Sequence, residues 1–194
     1  MNYKMTISYD GSRYFGWEHQ PNTDLTIQGK IETVLCEMLG HPAEVIGAGR
    51  TDAGVHAEAM VANVHMETDM TPEEIKKYMN RYLPDDICIT DFRTAADGFH
   101  SRYKAVGKTY RYTCYIGSEK PVFNRKYVYV LESIPNIEKM RQAAEYLVGE
   151  HDFASFCGNP RMKKSTVRLV DSIDIRQKGD LLILTFHGTG FLQY

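Results

Sequence analysis

The residues best placed to do chemistry sit in one glycine-rich run, Gly47-Ala48-Gly49-Arg50-Thr51-Asp52-Ala53-Gly54-Val55-His56-Ala57. Its glycines invite comparison with loops that cradle phosphates, and the comparison fails twice. A P-loop needs Lys and then Ser or Thr after its last glycine, where this run has Val55 and His56. A dinucleotide-binding loop needs G-x-G-x-x-G, and Asp52 stands where the third glycine should be. What remains is a tight loop after a short strand, presenting Arg50, Thr51 and Asp52 side by side. An aspartate in such a loop is either a turn former or cap or a carboxylate available for catalysis. Spacing alone leaves both open.

Cations are the second chemical feature. The net charge of -2 argues, by itself, against a nucleic-acid binder. Distribution matters more than the total. Residues 98–118 contain no acid but carry Arg102, Lys104, Lys108 and Arg111, interleaved with Tyr103, Tyr110, Tyr112 and Tyr115. Residues 153–170 are also free of acids and carry Arg161, Lys163, Lys164 and Arg168. Such stretches suit phosphate contact, because cations held near a nucleic-acid backbone release its counterions. Solvated strand faces would read the same way. Cys36, Cys88, Cys114 and Cys157 lie far apart, with no C-x-x-C and no histidine at ligand spacing. They read as reduced thiols in a cytoplasmic protein. The histidines form no ligand pattern, so no metal is expected.

These residues need a scaffold, and the periodicity supplies one. Residues 4–9 alternate as a strand, continuous with a start that has no signal-peptide stretch. A helix follows Thr26 as N-cap, with Ile27, Ile31, Val34, Leu35 and Met38 on one face and Gly40 past its end. Val45 and Ile46 form a short strand leading into the glycine run, and residues 60–66 form another. Thr71-Pro72-Glu73-Glu74 is a capping box with proline at the first helical position. It opens a helix through Ile75, Tyr78, Met79 and Tyr82 that stops before Pro84; residues 87–92 are strand-like. The second half begins with a strand over 109–116 and a helix over 137–148. A hairpin then joins 170–175 to 181–186 around Lys178-Gly179-Asp180. The expected architecture is α+β, with antiparallel sheets and helices on one face of each. It divides into an N-terminal α/β half, 1–105, carrying the Asp52 loop, and a C-terminal α/β half, 106–194. No run of about 18 apolar residues is present, so no membrane helix is expected.

The nine residues from Gly49 to Ala57 resemble the signature of the tRNA pseudouridine synthase A family. The likeness extends along the chain. Tyr14-Phe15-Gly16-Trp17 with Thr26-Ile27-Gln28 resembles the family's first loop and helix start. Phe99-His100-Ser101-Arg102 resembles its F-x-x-R element, and Lys108-Thr109-Tyr110-Arg111-Tyr112 its R/K-x-Y-x-Y element. His151-Asp152-Phe153-Ala154-Ser155-Phe156 and Gly188-Thr189-Gly190-Phe191-Leu192 resemble later blocks.

The resemblance implies the pseudouridine synthase fold and isomerisation of uridine in the anticodon stem-loop, conventionally at tRNA positions 38 to 40. It implies Asp52 as the essential carboxylate, acting without a cofactor. Tyr110 would pack on the uracil and serve as a late base, the alternative being a cross-strand core aromatic. Arg50 would fill the place of a flipped nucleotide; its alternative is a surface ion pair. Arg102, Lys104, Lys108 and Arg111 would grip phosphates. The family also implies a cytoplasmic homodimer. In it, Gly-x-Gly-Phe-Leu is followed by Met-Val-Arg, whose arginine pairs with the aspartate, whereas this chain stops at Tyr194. The expectation is therefore a truncated second half without its final helix and strand, giving a poorly active chain that is prone to associate. The alternative is a tRNA-binding protein that keeps the fold without catalysis.

Overall fold

The computed structural model describes residues 1–159 and 165–192 of the chain. These fall into two compact units, Met1–Ala105 and Val106–Tyr194.

The first unit is built around one strand. In β1 (Asn2–Tyr9) the side chains of Tyr3, Met5, Ile7 and Tyr9 alternate onto one face and are buried there. The helix α1 (Ile27–Leu39) is capped by Thr26, whose hydroxyl accepts from the Gly29 N–H at 3.2 Å, and ends at Gly40 with φ 77°. Then come β2 (Val45–Gly47), β3 (Ala57–His65), α2 (Pro72–Tyr82) and β4 (Ile87–Ala95). The capping box at α2 is complete: Thr71 and Glu74 each accept from the other's backbone N–H. The strands pair antiparallel in the order β2-β3-β1-β4. Ile27, Ile31 and Leu35 of α1 and Ile75 and Met79 of α2 join the β1 stripe in one core, so both helices cover the same face.

The other face of this sheet is polar. Asn2 and Asn63 are fully buried on it and bonded to each other, Asn63 Nδ2 donating to Asn2 Oδ1 at 3.2 Å. Asn2 Nδ2 donates to the carbonyls of Ala96 and Phe99 at 2.9 and 2.8 Å. The Ser101 N–H donates to Asn63 Oδ1 at 2.9 Å, and the Ser101 hydroxyl to the Ile46 carbonyl at 2.5 Å. The segment leaving β4 is thereby pinned across the sheet.

The second unit comprises β5 (Lys108–Tyr115), β6 (Tyr129–Val130), α3 (Ile137–Glu145), β7 (Gly149–Asp152), β8 (Val167–Lys178) and β9 (Leu181–Gly188). Its sheet runs β6-β5-β9-β8-β7, antiparallel except for the β5–β6 pair. Ala144 of α3 packs with Ile116, Ile175 and Leu182 in a small core. Lys178 pairs with Leu181, so a two-residue turn, Gly179 (φ 57°) and Asp180, closes the hairpin.

The expected α+β architecture with antiparallel sheets is what the chain adopts. One helix is shorter than its periodicity suggests. α3 stops at Glu145 rather than residue 148, because Tyr146 and Leu147 donate back to Ala143 and Ala144 in a tightened last turn. Gly149, at φ 110°, then enters β7. The short strands β6 and β7 carry no alternation long enough to read and exist through their partners. Arg161, Lys163 and Lys164 lie outside the described residues, as do Gln193 and Tyr194.

The polar face makes a stability prediction. Asn63→Ala leaves both Asn2 Oδ1 and the Ser101 N–H buried without their partner, which costs on the order of 2–4 kcal/mol. Urea unfolding of the purified chain measures it; a loss below about 1 kcal/mol would show the network to be dispensable.

Candidate active site

Asp52 lies in the loop that leaves the sheet at β2 and returns at β3. Gly47 ends β2 opposite Ala62, and the Ala48 N–H adds one further bond, to the Val61 carbonyl at 2.8 Å. Beyond this the loop is caught by the end of β1 and the segment that follows it. Tyr9 Oη and Thr51 Oγ1 share a hydrogen bond of 2.8 Å, and the Trp17 N–H donates to the Thr51 carbonyl at 3.0 Å. The Gly54 N–H donates to the Tyr14 carbonyl at 3.2 Å, and the Gly11 N–H to His56 Nδ1 at 3.1 Å. Within the loop the Val55 N–H closes a turn onto the Asp52 carbonyl at 3.2 Å. Asp52 is thus held by its backbone on both sides. Its side chain is exposed, and no donor among the described residues of its unit reaches the carboxylate.

Two glycines make this approach possible. Gly16 has φ 99°, and a Cβ there would lie 2.5 Å from the Thr51 carbonyl oxygen. A Cβ on Gly47 would come within 2.6 Å of the Trp17 indole, which is buried directly against it. Trp17 therefore serves twice, its N–H fixing Thr51 and its ring supporting the exit from β2. A second tether anchors the same segment from below. Asp86 accepts from Tyr14 Oη at 2.6 Å and from Arg13 Nε at 2.8 Å, while the Asp10 N–H donates to the Asp86 carbonyl at 2.9 Å. Burial, and next the bond to Asp86, push the Tyr14 hydroxyl up to about 12.

The remaining sites can be placed one by one. Arg50 ion-pairs with Glu18 at 2.7 Å, both well exposed, which contributes roughly 0–1 kcal/mol. Tyr110 lies on β5 opposite Phe186, half-buried, with the Phe191 ring edge-on at 5.1 Å between centroids. Lys108 shares its strand face and Arg111 takes the other, following the alternation of β5. Arg102 and Lys104 are exposed in the first unit, on the segment pinned by Asn2 and Asn63. The structure therefore brings Arg50, Thr51 and Asp52 together in one loop, and Tyr110 and Lys108 on one strand face. Among the described residues no three metal-ligating side chains converge, and no helix is long and apolar enough to cross a membrane. The reading of residue types did not single out Tyr9 or Asp86, because each acts on partners 42 and 72 residues away.

Comparison with known proteins gives a consistent picture. A sequence model of the family described as tRNA pseudouridine synthase matches residues 5–104 and 143–194. The chain is 47% identical over 191 residues to tRNA pseudouridine synthase A of Bacillus sp. strain KSM-64, covering 98% of this chain and 78% of that protein. It is 44% identical, with the same coverage, to tRNA pseudouridine synthase A 2 of Bacillus anthracis and to tRNA pseudouridine synthase A 1 of Clostridium tetani.

Two predictions test the clamp. Gly40 also has positive φ, 77°, but open space where its Cβ would go. Gly40→Ala costs the backbone strain alone, about 1–2 kcal/mol, and Gly16→Ala costs about 1–3 kcal/mol more, since the Thr51 carbonyl must also move. Equal losses in urea unfolding would refute the close approach. Tyr14, with its pKa raised in the folded state, adds stability that is fully present below pH 10.0 and lost as pH rises through about 12. The stability gap between the wild type and Tyr14→Phe should therefore shrink across that window; a gap that stays flat contradicts the tether.

Proposed function

The chain belongs to the tRNA pseudouridine synthase family, and from that premise we propose that it isomerises uridine to pseudouridine in tRNA with Asp52 as its essential carboxylate. The observation that supports this best is the state of Asp52: an exposed carboxylate with no partner among the described residues of its unit, on a backbone fixed from both sides. A structural aspartate would spend its oxygens on nearby N–H groups. A reacting one must be rigidly placed and still open to substrate.

The chemistry suits such a group. The bond from ribose C1′ to uracil N1 breaks, the base turns, and a bond from C1′ to C5 forms; the proton on C5 leaves and N1 gains one. The reaction is neither a net oxidation nor a group transfer, so no cofactor is needed. A single carboxylate can serve either as a nucleophile that holds the reaction's electrophilic centre between the two bonds or as a base that takes a ribose proton to give a glycal. Tyr110 packs against the uracil and accepts the C5 proton, its ring held edge-on by Phe191. Arg50 gives up its weak pairing with Glu18 to fill the space of the flipped nucleotide. Arg102, Lys104, Lys108 and Arg111 neutralise phosphates, which positions the RNA more than it specifies sequence. The substrate region is the anticodon arm, and the working form is a cytoplasmic homodimer.

Incubation with unmodified tRNA, followed by chemical labelling and primer extension, tests the reading. The wild type should introduce pseudouridine in the anticodon arm. Asp52→Asn should lower the rate by roughly 10³-fold or more while tRNA affinity stays within about threefold, since no ionic contact to phosphate is removed. Product formed by the variant at the wild-type rate would exclude Asp52. RNA binding without product from the wild type would leave a binding protein instead.

A further inference from the structure

The pinned segment after β4 has a feature that the proposed reaction does not use. Residues 96–104 leave the sheet as two successive turns, the Phe99 N–H donating to the Ala96 carbonyl and the Lys104 N–H to the His100 carbonyl, both at 2.9 Å. Phe99 faces inward, with Lys4 Nζ 5.6 Å from its ring centroid, and Ser101 is buried. Arg102, Tyr103 and Lys104 face outward, and His100 is half-buried beside them. The His100 and Tyr103 rings lie against each other, centroids 4.1 Å apart and planes tilted by 34°. His100 Nδ1 accepts the N–H groups of Arg102 and Tyr103 at 3.3 and 3.4 Å, which fixes the imidazole beneath the phenol. Tyr103 remains 77% exposed. Arg102 and Lys104 flank it, both exposed and without an acidic partner among the described residues, in a stretch with no acid from 98 to 118.

We propose that Tyr103, seated on His100, is a stacking platform for an unpaired RNA base, with Arg102 and Lys104 holding the phosphates on either side. The inference rests on the tRNA reading above and adds a contact to it. An aromatic that is three-quarters exposed contributes little to the fold, yet this one is held by a neighbouring ring, two backbone hydrogen bonds and, through Ser101, the buried asparagines. That order reduces the entropy lost when a ligand stacks on it. The chemistry of the surroundings selects the ligand. A flat π-face between unpaired cations matches a nucleobase between phosphates, and a base already stacked within a duplex has no free face to offer.

Stacking and ion pairing respond differently to salt, and this makes the proposal testable in the whole chain. Unmodified tRNA is titrated at several salt concentrations against chains carrying Asp52→Asn, which prevents conversion. Adding Tyr103→Ala or Tyr103→Leu should weaken binding by about tenfold or more at every salt concentration with an unchanged slope of log Kd on log[salt]. Tyr103→Trp should bind like the parent. Adding Arg102→Ala should instead lower the slope by about 0.7–0.9. Thermal midpoints of the Tyr103 variants should match the parent. Unchanged affinity in Tyr103→Ala, or parent-like affinity in Tyr103→Leu, would overturn the platform while leaving the synthase intact. A wild-type chain that neither binds nor modifies tRNA would overturn both.

Discussion

The order of the site depends on how Thr51 is held. Its carbonyl is taken by the Trp17 N–H and its hydroxyl by Tyr9, so the residue beside Asp52 has little freedom left. Fixing each backbone residue of an exposed loop costs about 1–2 kcal/mol of conformational entropy. Single hydrogen bonds return roughly 1 kcal/mol each, which by themselves leave the loop marginal. The balance comes from Trp17, 1% exposed, whose indole packs directly against Gly47. Burying so large a ring contributes several times what one hydrogen bond does. The hydrophobic core of the first unit thus reaches the loop through one side chain, and the carboxylate need not be tied down itself.

The two faces of the first sheet solve different problems. On one, helices supply apolar side chains, and alternation along β1 suffices. On the other, irregular backbone crosses the sheet, and its N–H and carbonyl groups cannot be left buried without partners. Asn2, Asn63 and Ser101 meet that demand, since an amide side chain both donates and accepts. Among the described residues no buried side-chain nitrogen or oxygen lacks a partner. A network of this kind holds only when complete. It ties the 96–104 segment to the sheet at Ala96, Phe99 and Ser101 while leaving Arg102, Tyr103 and Lys104 facing solvent.

What could be read from the sequence was what is encoded locally. Thr26, Gly40 and the Thr71–Glu74 box mark helix ends through contacts within a few residues, and the first unit's helices begin and end where those signals lie. The α3 boundary was missed because Tyr146 and Leu147 keep the apolar spacing of a helix while their N–H groups tighten onto Ala143 and Ala144. The strands β6 and β7 are too short to show a period of two. The chemistry of the Asp52 loop was visible as a string, yet its support was not. Tyr9 was the last position of an alternating strand, and nothing in the spacing marked Asp86. Contacts across 42 and 72 residues leave no mark on spacing. Asn63 was equally silent, a polar residue in a strand whose buried face it does not share.

Net charge misled for a related reason: it sums charges without regard to where they lie or whether each has a partner. Arg13, Arg93, Arg141 and Arg176 each sit beside a carboxylate, on Asp86, Asp91, Glu138 and Asp174. A polyanion reaching those arginines must first displace an acid that remains nearby and repels it. The cations that can act on a phosphate are those away from acids, and Arg102 and Lys104 meet that condition within a chain of net charge -2. The sum over the chain is therefore a poor guide to whether it meets RNA. The better measure is where unpaired positive charge coincides with a rigid backbone, because only there does the counterion released on binding come without a matching loss of order in the protein. In the first unit those conditions coincide on the segment after β4, where the buried asparagines hold the backbone from beneath.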